Sequence, residues 1–259
     1  RMGFDALYMT GYGTVASYLG LPDAGIATYS DMVNRVTQFA SITATPMICD
    51  GDTGYGGLLN VDHTVRGYEK AGAAAIQLED QEFPKKCGHT PGRRVIAAED
   101  MAAKVKVASE ARSQADSILI IARTDARTSL GLDEALRRGE RYLRAGADIL
   151  FIESPETEEE LATIGRTFAG VPLVVNNVEG GRTPILPPHD LQAMGFSMAI
   201  YPSLGFLAAG HALREAYQHL HERAAFQTPA STPALDDFQA FSLMMGFQRV
   251  WDFDRRHAE

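Results

Sequence analysis

Thr45-Pro-Met-Ile-Cys-Asp50-Gly-Asp52-Thr-Gly-Tyr-Gly56 is a short apolar run that ends in two acids set one glycine apart. A strand covered on both faces reads as an unbroken apolar run of this kind, and such strands belong in parallel sheets. The quoted run occupies residues 45–52, and six more repeat its character: 4–10, 74–79, 117–124, 149–154, 172–177 and 198–202. Helical stretches lie between them. Residues 30–42 open on Ser30, and residues 98–111 have a helix-rich composition ahead of Ser113. Residues 132–145 begin with Asp133 and Glu134 and stop at Gly146, and residues 157–167 open on Thr157 with Glu160 at capping-box spacing.

Alternating strands and helices without a break in composition select an α/β fold. A closed (β/α)8 TIM-like barrel takes about 250 residues; the chain has 259 residues but only seven runs. The expectation is such a barrel over residues 1–225 with its first strand missing from this chain, because Arg1-Met-Gly-Phe reads as a helix end entering a strand. An open doubly wound sheet is the rival, yet no G-x-G-x-x-G or P-loop pattern follows any run. Residues 226–234, Phe-Gln-Thr-Pro-Ala-Ser-Thr-Pro-Ala, cannot form a regular helix. Residues 226–259 are therefore read as a linker and a C-terminal helical arm, its helix at 235–252. Phe238, Phe241, Leu243, Met244, Met245, Phe247, Val250 and Trp251 cover more of that helix than a one-sided surface helix would bury. A neighbouring subunit is the expected cover, which makes the protein a homo-oligomer.

Composition narrows the partners. Twenty-four Lys and Arg against 33 Asp and Glu give a net charge of -9, which repels phosphate backbones and anionic lipid, so neither nucleic acid nor membrane is an expected partner. No apolar run approaches the roughly 20 residues of a membrane span, and the N-terminus lacks the basic-then-apolar layout of an export signal. Two cysteines, Cys49 and Cys87, permit at most one disulfide, and the cytoplasm is the expected compartment.

In a parallel barrel, chemistry gathers at the C-terminal strand ends. Those ends read Tyr8-Met-Thr10-Gly11-Tyr12, Asp50-Gly-Asp52, Glu79-Asp80-Gln81, Arg123-Thr-Asp125, Glu153-Ser154, Asn176-Asn177 and Tyr201-Pro-Ser203. Acids and one arginine thus converge on one mouth. Asp50, Asp52 and Glu79 would repel one another there unless a hard cation joined them, and Mg2+, which keeps several waters beside a few carboxylates, suits them better than Ca2+ or zinc. The plainer reading makes Asp52-Thr-Gly a capped turn and Glu79 half of a structural ion pair. Lys85-Lys-Cys87-Gly-His89 forms a second constellation on a loop between prolines and glycines. Lysines and a histidine beside a thiol favour the thiolate, so Cys87 is read as proton donor or nucleophile, against the bland alternative of a solvated basic loop. Cys49, inside an apolar strand, is read as a small core residue.

The stretches Tyr8-Met-Thr-Gly, Asp50-Gly-Asp-Thr-Gly-Tyr-Gly, Ile76-Gln-Leu-Glu-Asp, Lys85-Lys-Cys-Gly-His, Ala122-Arg-Thr-Asp-Ala and Asn177-Val-Glu-Gly-Gly resemble the isocitrate lyase and phosphoenolpyruvate mutase superfamily. The Lys-Lys-Cys-Gly-His box resembles its carbon-carbon lyase branch, that of 2-methylisocitrate lyases, 2,3-dimethylmalate lyases and petal death protein. The resemblance implies a barrel with Mg2+ (Mn2+ as substitute) held at Asp50, with Asp52 and Glu79 acting through water. It implies that Thr10, Gly11 and Tyr12 hold the substrate carboxylate, with Asp23, Gly88, Arg123, Glu153 and Asn177 completing the substrate set. It also implies dimers or tetramers that exchange terminal helices. Thr10 departs from the serine common at that place.

The expected reaction splits a 2-hydroxy di- or tricarboxylate, a 2-alkylmalate or 2-methylisocitrate, into a 2-oxo acid such as pyruvate and an enolate. Arg123 stabilises charge on oxygen, and Cys87, tuned by Lys86 and His89, protonates the enolate carbon. Tyr8 and a metal-bound water are the candidate bases. Asn177-Val-Glu179-Gly-Gly-Arg182-Thr-Pro looks more like the dimethylmalate lyase, petal death and oxaloacetate hydrolase group than the tricarboxylate lyases. Oxaloacetate hydrolysis, with Ser203 as a contact or merely a turn serine, is the alternative reaction; a phosphonate or carboxyphosphonate mutase is the runner-up in another class; a non-catalytic relic is the third reading. His211, His219 and His221 read as a solvated face, and Pro187-Pro188-His189-Asp190 as a helix entry.

Overall fold

The computed structural model describes residues 2–88, 90, 92–223 and 234–258. The expected linker at 226–233 and two residues of the basic loop, His89 and Pro91, lie outside the described residues.

All seven apolar runs form strands: β1 (Leu7–Met9), β2 (Met47–Asp50), β3 (Ala75–Glu79), β4 (Leu119–Thr124), β5 (Ile149–Ile152), β6 (Leu173–Asn176) and β7 (Met198–Ile200). They pair in parallel in sequence order and curve into a nearly closed barrel ringed by helices, the TIM-like α/β architecture expected. Most strands are shorter than their runs because hydrogen bonding ends before strand-like composition does. The helices are α1 (Gly11–Thr14), followed by a π-helical turn at Val15–Leu19, α2 (Tyr29–Ala40), α3 (Leu58–Ala71), α4 (Ala98–Ala111), α5 (Ala126–Leu130), α6 (Leu132–Arg144), α7 (Glu158–Thr167), α8 (Pro188–Ala193) and α9 (Leu204–Arg223). The cap of α2 is Thr28, not Ser30: Thr28 accepts from the Asp31 amide while Asp31 accepts from the Thr28 amide. Thr157 caps α7 as read, though Glu160 turns to Arg127 instead of closing the box.

Two layers of apolar side chains follow from the two-residue period of a strand. Outward residues such as Cys49, Ile76, Leu78, Ile120 and Leu150 pack with Val36, Val65, Tyr68, Val105 and Leu161 of the helices. Inward residues Ile48, Ala75, Ile121, Ile149, Phe151, Val174 and Ile200 fill the barrel. Each fully buried aliphatic side chain stabilises the fold by about 1.5–3 kcal/mol. The inward phase continues upward to Asp50, Gln77, Glu79, Arg123, Glu153 and Asn176, so the plug of hydrocarbon has a polar top.

The chain divides into two compact units, Arg1–Phe206 and Leu207–Glu259. In the second, the single helix expected at 235–252 is two: α10 (Phe238–Met245) and α11 (Phe247–His257), broken at Gly246, whose φ of 101° only glycine adopts readily. Phe238, Phe241, Leu243, Met244, Met245, Phe247, Val250 and Trp251 are all exposed. Among the described residues no helix is long and apolar enough to cross a membrane.

Candidate active site

The polar top of the barrel opens into a cavity of about 180 Å3. At its floor Thr10 caps α1, its hydroxyl accepting from the Gly13 amide, and the Gly11 amide donates to Asp50 Oδ2 at 3.2 Å. A Cβ on residue 11 would lie 2.5 Å from that oxygen, so only glycine lets the helix start reach the carboxylate. Asp50 Oδ1 accepts from the Asp52 amide at 3.0 Å. Tyr8 donates its phenol to Gln77 Oε1 at 3.0 Å, and burial, reinforced by the charge of Asp50, pushes that phenol well above its ordinary pKa. The Tyr8 hydroxyl is thus engaged as a donor to Gln77.

Lys85 is the largest departure from the sequence reading. Its ammonium is buried between Asp23 Oδ1 at 2.6 Å and Asp52 Oδ1 at 2.7 Å, so it is an anchor of the loop, with Asp52 as its partner. Burial would discharge it, but Asp52, Glu79, Asp50 and Asp23 outweigh that and hold it protonated. Burial raises Asp52 to about 6, Lys85 opposing and Asp50 and Asp23 reinforcing. The loop is tied further by the Cys87 amide, which donates to the Asp23 carbonyl at 3.2 Å. A Cβ on Gly88 would sit 2.3 Å from Arg123 Nη2, so the backbone lies directly against the guanidinium.

Arg123 is clamped from several sides. Nε and Nη2 each donate to Asp125 at 2.9 Å, Nη2 lies 3.2 Å from Glu153 Oε2, Nη1 lies 3.5 Å from Glu79 Oε2, and the Phe151 ring lies 5.1 Å beneath. Burial would lower its pKa, but Asp125, Glu153 and Glu79 overcome that and keep it charged. Asp125 also pairs with Arg93, and these arginines pull its carboxyl below the usual value despite burial. Glu153, fully buried, accepts from the Ser154 amide at 2.8 Å and from Asn176 Nδ2 at 3.2 Å.

Among the described residues no three His, Cys, Asp or Glu side chains close on one point as a metal shell. Nevertheless the donors present are all carboxylates, Glu79 Oε1 is buried without a hydrogen-bond partner, and burial pushes the Glu79 carboxyl well above its usual range despite Arg123. An oxygen set short of positive charge fits a hard cation that retains waters.

The structure gathers Tyr8, Thr10, Tyr12, Asp23, Asp50, Glu79, Lys86, Cys87, Gly88, Arg123 and Glu153 on one wall system. Gly11 stands behind Asp50, its amide already used. Asn177 is fully buried away from the cavity, because strand alternation turns Asn176 inward in its place. Ser203 lines the cavity and donates to Glu179 at 3.2 Å. Asn176 and Pro202 of the predicted strand ends line it, as do Thr90, Val178, Ile200 and Phe206, which the sequence reading does not single out, and Phe206 packs against Tyr12 at a tilt of 56° with ring centroids 4.9 Å apart. Counting inward from Val174 by twos selects Asn176; nothing in the sequence marks Phe206. One wall is thus charged and the other, Tyr12, Phe206, Ile200, Pro202 and Val178, is mostly hydrocarbon. A small acid carrying both carboxylate and alkyl groups matches that division.

Comparisons with known proteins agree with this geometry. Residues 1–221 match the family model described as phosphoenolpyruvate phosphomutase. A 2,3-dimethylmalate lyase of Eubacterium barkeri is 46% identical over 258 residues, covering 100% of this chain and 88% of the relative. A 2-methylisocitrate lyase of Bacillus subtilis is 39% identical over 86% of this chain and 72% of its own length. A crystal structure of 2,3-dimethylmalate lyase superposes with a TM-score of 0.90 at 35% identity, covering 99% of this chain and 84% of that one. A phosphonopyruvate hydrolase solved with oxalate and Mg2+ superposes at 0.85 with 31% identity, covering 99% and 88%. The chain belongs to the phosphoenolpyruvate mutase/isocitrate lyase superfamily.

Proposed function

We propose that the protein is a carbon-carbon lyase that cleaves a 2-alkylmalate, 2,3-dimethylmalate first among them, into a 2-oxo acid and a second carboxylate. One observation carries the reading: a cysteine, a permanently charged arginine and an acid cluster face one small cavity whose far wall is apolar, in a chain 46% identical to a 2,3-dimethylmalate lyase.

The roles follow from what each group can do. Arg123, immobilised by Asp125 and Glu153, binds the carboxylate beside the reacting carbon and resists being drawn out of place by it. The Gly88 backbone, pressed on Arg123, sets the distance between that carboxylate and the loop. As the 2-hydroxyl gives its proton to water, the C2-C3 bond breaks and its electron pair passes into the enolate of the departing carboxylate; the same proton equivalent later returns to the Cys87 thiolate. Cys87 gives the enolate carbon its proton; 2,3-dimethylmalate would thus yield pyruvate and propionate, with every atom accounted for. Lys86, at the same wall, favours the thiolate left behind. Asp50, with Glu79 and Asp52 beside it, would hold Mg2+ or Mn2+, which would supply polarisation of the substrate oxygens. The apolar wall of Tyr12 and Phe206 accepts alkyl substituents, and among the described residues it carries no cation for a third carboxylate, which favours alkylmalates over 2-methylisocitrate.

The same reading includes a cytoplasmic homo-oligomer, a dimer or tetramer, in which residues 226–259 act as an exchanged arm. It is supported by the exposed aromatic and methionine side chains of α10 and α11.

The test is direct. Protein and Mg2+ are incubated with 2,3-dimethylmalate, 2-methylisocitrate, citramalate or oxaloacetate, and 2-oxo acid and oxalate are followed. Pyruvate formed from 2,3-dimethylmalate and abolished by EDTA supports the reading. Oxalate from oxaloacetate alone moves the assignment to a hydrolase, and silence on all four removes the lyase.

A further inference from the structure

We propose that Gln81, which does not touch the cavity, is a positioning residue that fixes Cys87 by acting as a surrogate peptide for the residue before it. Gln81 follows β3 and is 2% exposed. Its Nε2 donates to the Lys86 carbonyl at 2.9 Å, and its Oε1 accepts from the Lys86 amide at 3.0 Å. Both polar groups of one backbone residue are thus taken by one side chain, the pattern a neighbouring antiparallel strand would supply. Gln81 is itself held in such a pairing: it bridges Val95 antiparallel, and the Glu82 amide donates to the Arg94 carbonyl at 2.9 Å. The base of the loop is therefore a short ladder, and the Gln81 amide extends it sideways to Lys86.

The chemistry of the side chain is specific. A primary amide carries a donor and an acceptor in one plane, as a peptide does. Glutamate would set a carboxylate oxygen against the Lys86 carbonyl, methionine would match the length and bond to neither group, and asparagine is one methylene short. The neighbouring ties are of other kinds: Lys85 is bound by the acids of the site, and the Cys87 amide by the Asp23 carbonyl. Gln81 alone among these fixes the backbone of Lys86, and hence the direction in which the chain enters Cys87. Loss of both bonds should raise local opening of this segment about 30-fold, the equivalent of two ordinary hydrogen bonds.

The positioning role rests on the proposed lyase reading, but the structural half does not, and the two are measured separately. Full-length wild type, Gln81→Met and Gln81→Glu are first checked for equal thermal midpoints by circular dichroism. They are then exposed without substrate to lysyl endopeptidase, and cleavage after Lys85 and Lys86 is followed by mass spectrometry. Both variants should be nicked there tens of times faster than wild type, with other lysines unaffected. If either variant fails to fold, the other carries the test. Rates within twofold of wild type in the folded variants overturn the surrogate peptide. In 2,3-dimethylmalate turnover, Gln81→Met should lower kcat at least tenfold with little change in KM, and should lower it hardly further when Cys87 is already alanine. Faster nicking with unchanged kcat overturns the positioning role. A wild type inactive on every acid overturns the lyase reading instead, and the nicking rates still decide whether Gln81 holds the loop.

Discussion

Replacing Asp80 by asparagine should cost the fold about 3 kcal/mol, although the new side chain has the same shape. Asp80, the residue after β3, is fully buried, and its carboxylate accepts four hydrogen bonds. Oδ2 takes three, from Thr124 Oγ1 at 2.7 Å, Tyr142 at 2.8 Å and Arg138 Nη1 at 3.0 Å; Oδ1 takes the Asp125 amide at 2.9 Å. An amide that keeps the three-donor oxygen must point its NH2 at the Asp125 N–H. That orphan costs about 1–3 kcal/mol. Arg138 loses a buried countercharge, worth about 3–5 kcal/mol if nothing else held it. It retains Glu134 at 2.9 Å and the Ile96 carbonyl, which reduces that term to about 2 kcal/mol. Part of the sum returns because the charge need no longer be kept out of water; burial already pushes the Asp80 carboxyl above its usual pKa. Urea denaturation followed by far-ultraviolet circular dichroism reads the result. With a slope of about 3 kcal/mol per molar, the midpoint should fall by roughly 1 M. A fall below roughly 0.3 M would refute the argument that this carboxylate is the hub joining β3, β4 and α6.

Cys87→Ser should lower turnover of the accepted acid about 10²–10⁴-fold at an unchanged thermal midpoint, and near-normal turnover would remove Cys87 as proton donor. Gly88→Ala drives a methyl into Arg123, so both kcat and substrate affinity should fall, by about tenfold or more together, in steady-state kinetics. Asp125 has its folded pKa below the ordinary 3.8, so its stabilisation is complete above that value and is lost as pH falls through the folded pKa. The gap in thermal midpoint between wild type and Asp125→Asn should accordingly be wide at pH 6 and shrink below about pH 4; a gap constant down to pH 2 would contradict the sign. Chelation of divalent cations should abolish turnover without unfolding the barrel, and Mg2+ should restore it; activity indifferent to EDTA would exclude Asp50 and Glu79 as cation holders.

The strands were legible because burial on both faces leaves an unmistakable apolar run, and the mouth was legible because polar residues end those runs. The failures have physical causes. Lys85 reads as a loop base because sequence spacing carries no sign of the two acids, one 62 and one 33 positions earlier, that enclose it. Asn177 stands beside Asn176 at the strand end and reads equally well as a ligand, but strand parity counted from Val174 turns Asn176 inward. Gly246 gives no break signal in the sequence because the residues on both sides continue a helical apolar pattern, and its backbone conformation shows the break. The helix α3 begins on Gly57, which has no side chain of its own to cap with, and its capping contact comes from within the first turn, the Gly57 amide donating to Asn60 Oδ1 at 3.1 Å, so no residue before the helix signals its start.

The alternation at the strand ends also divides the chain for anyone who would alter it. Glu79, Arg123 and Glu153 face the cavity, while their immediate successors Asp80, Thr124 and Ser154 are turned elsewhere, Asp80 and Thr124 into the network that holds the frame. Substrate preference and thermal robustness are therefore interleaved one residue apart, yet they are addressable separately. A library confined to the inward positions would search chemistry on a constant frame, whereas one that randomised neighbouring pairs would lose most of its members before any reaction could be assayed.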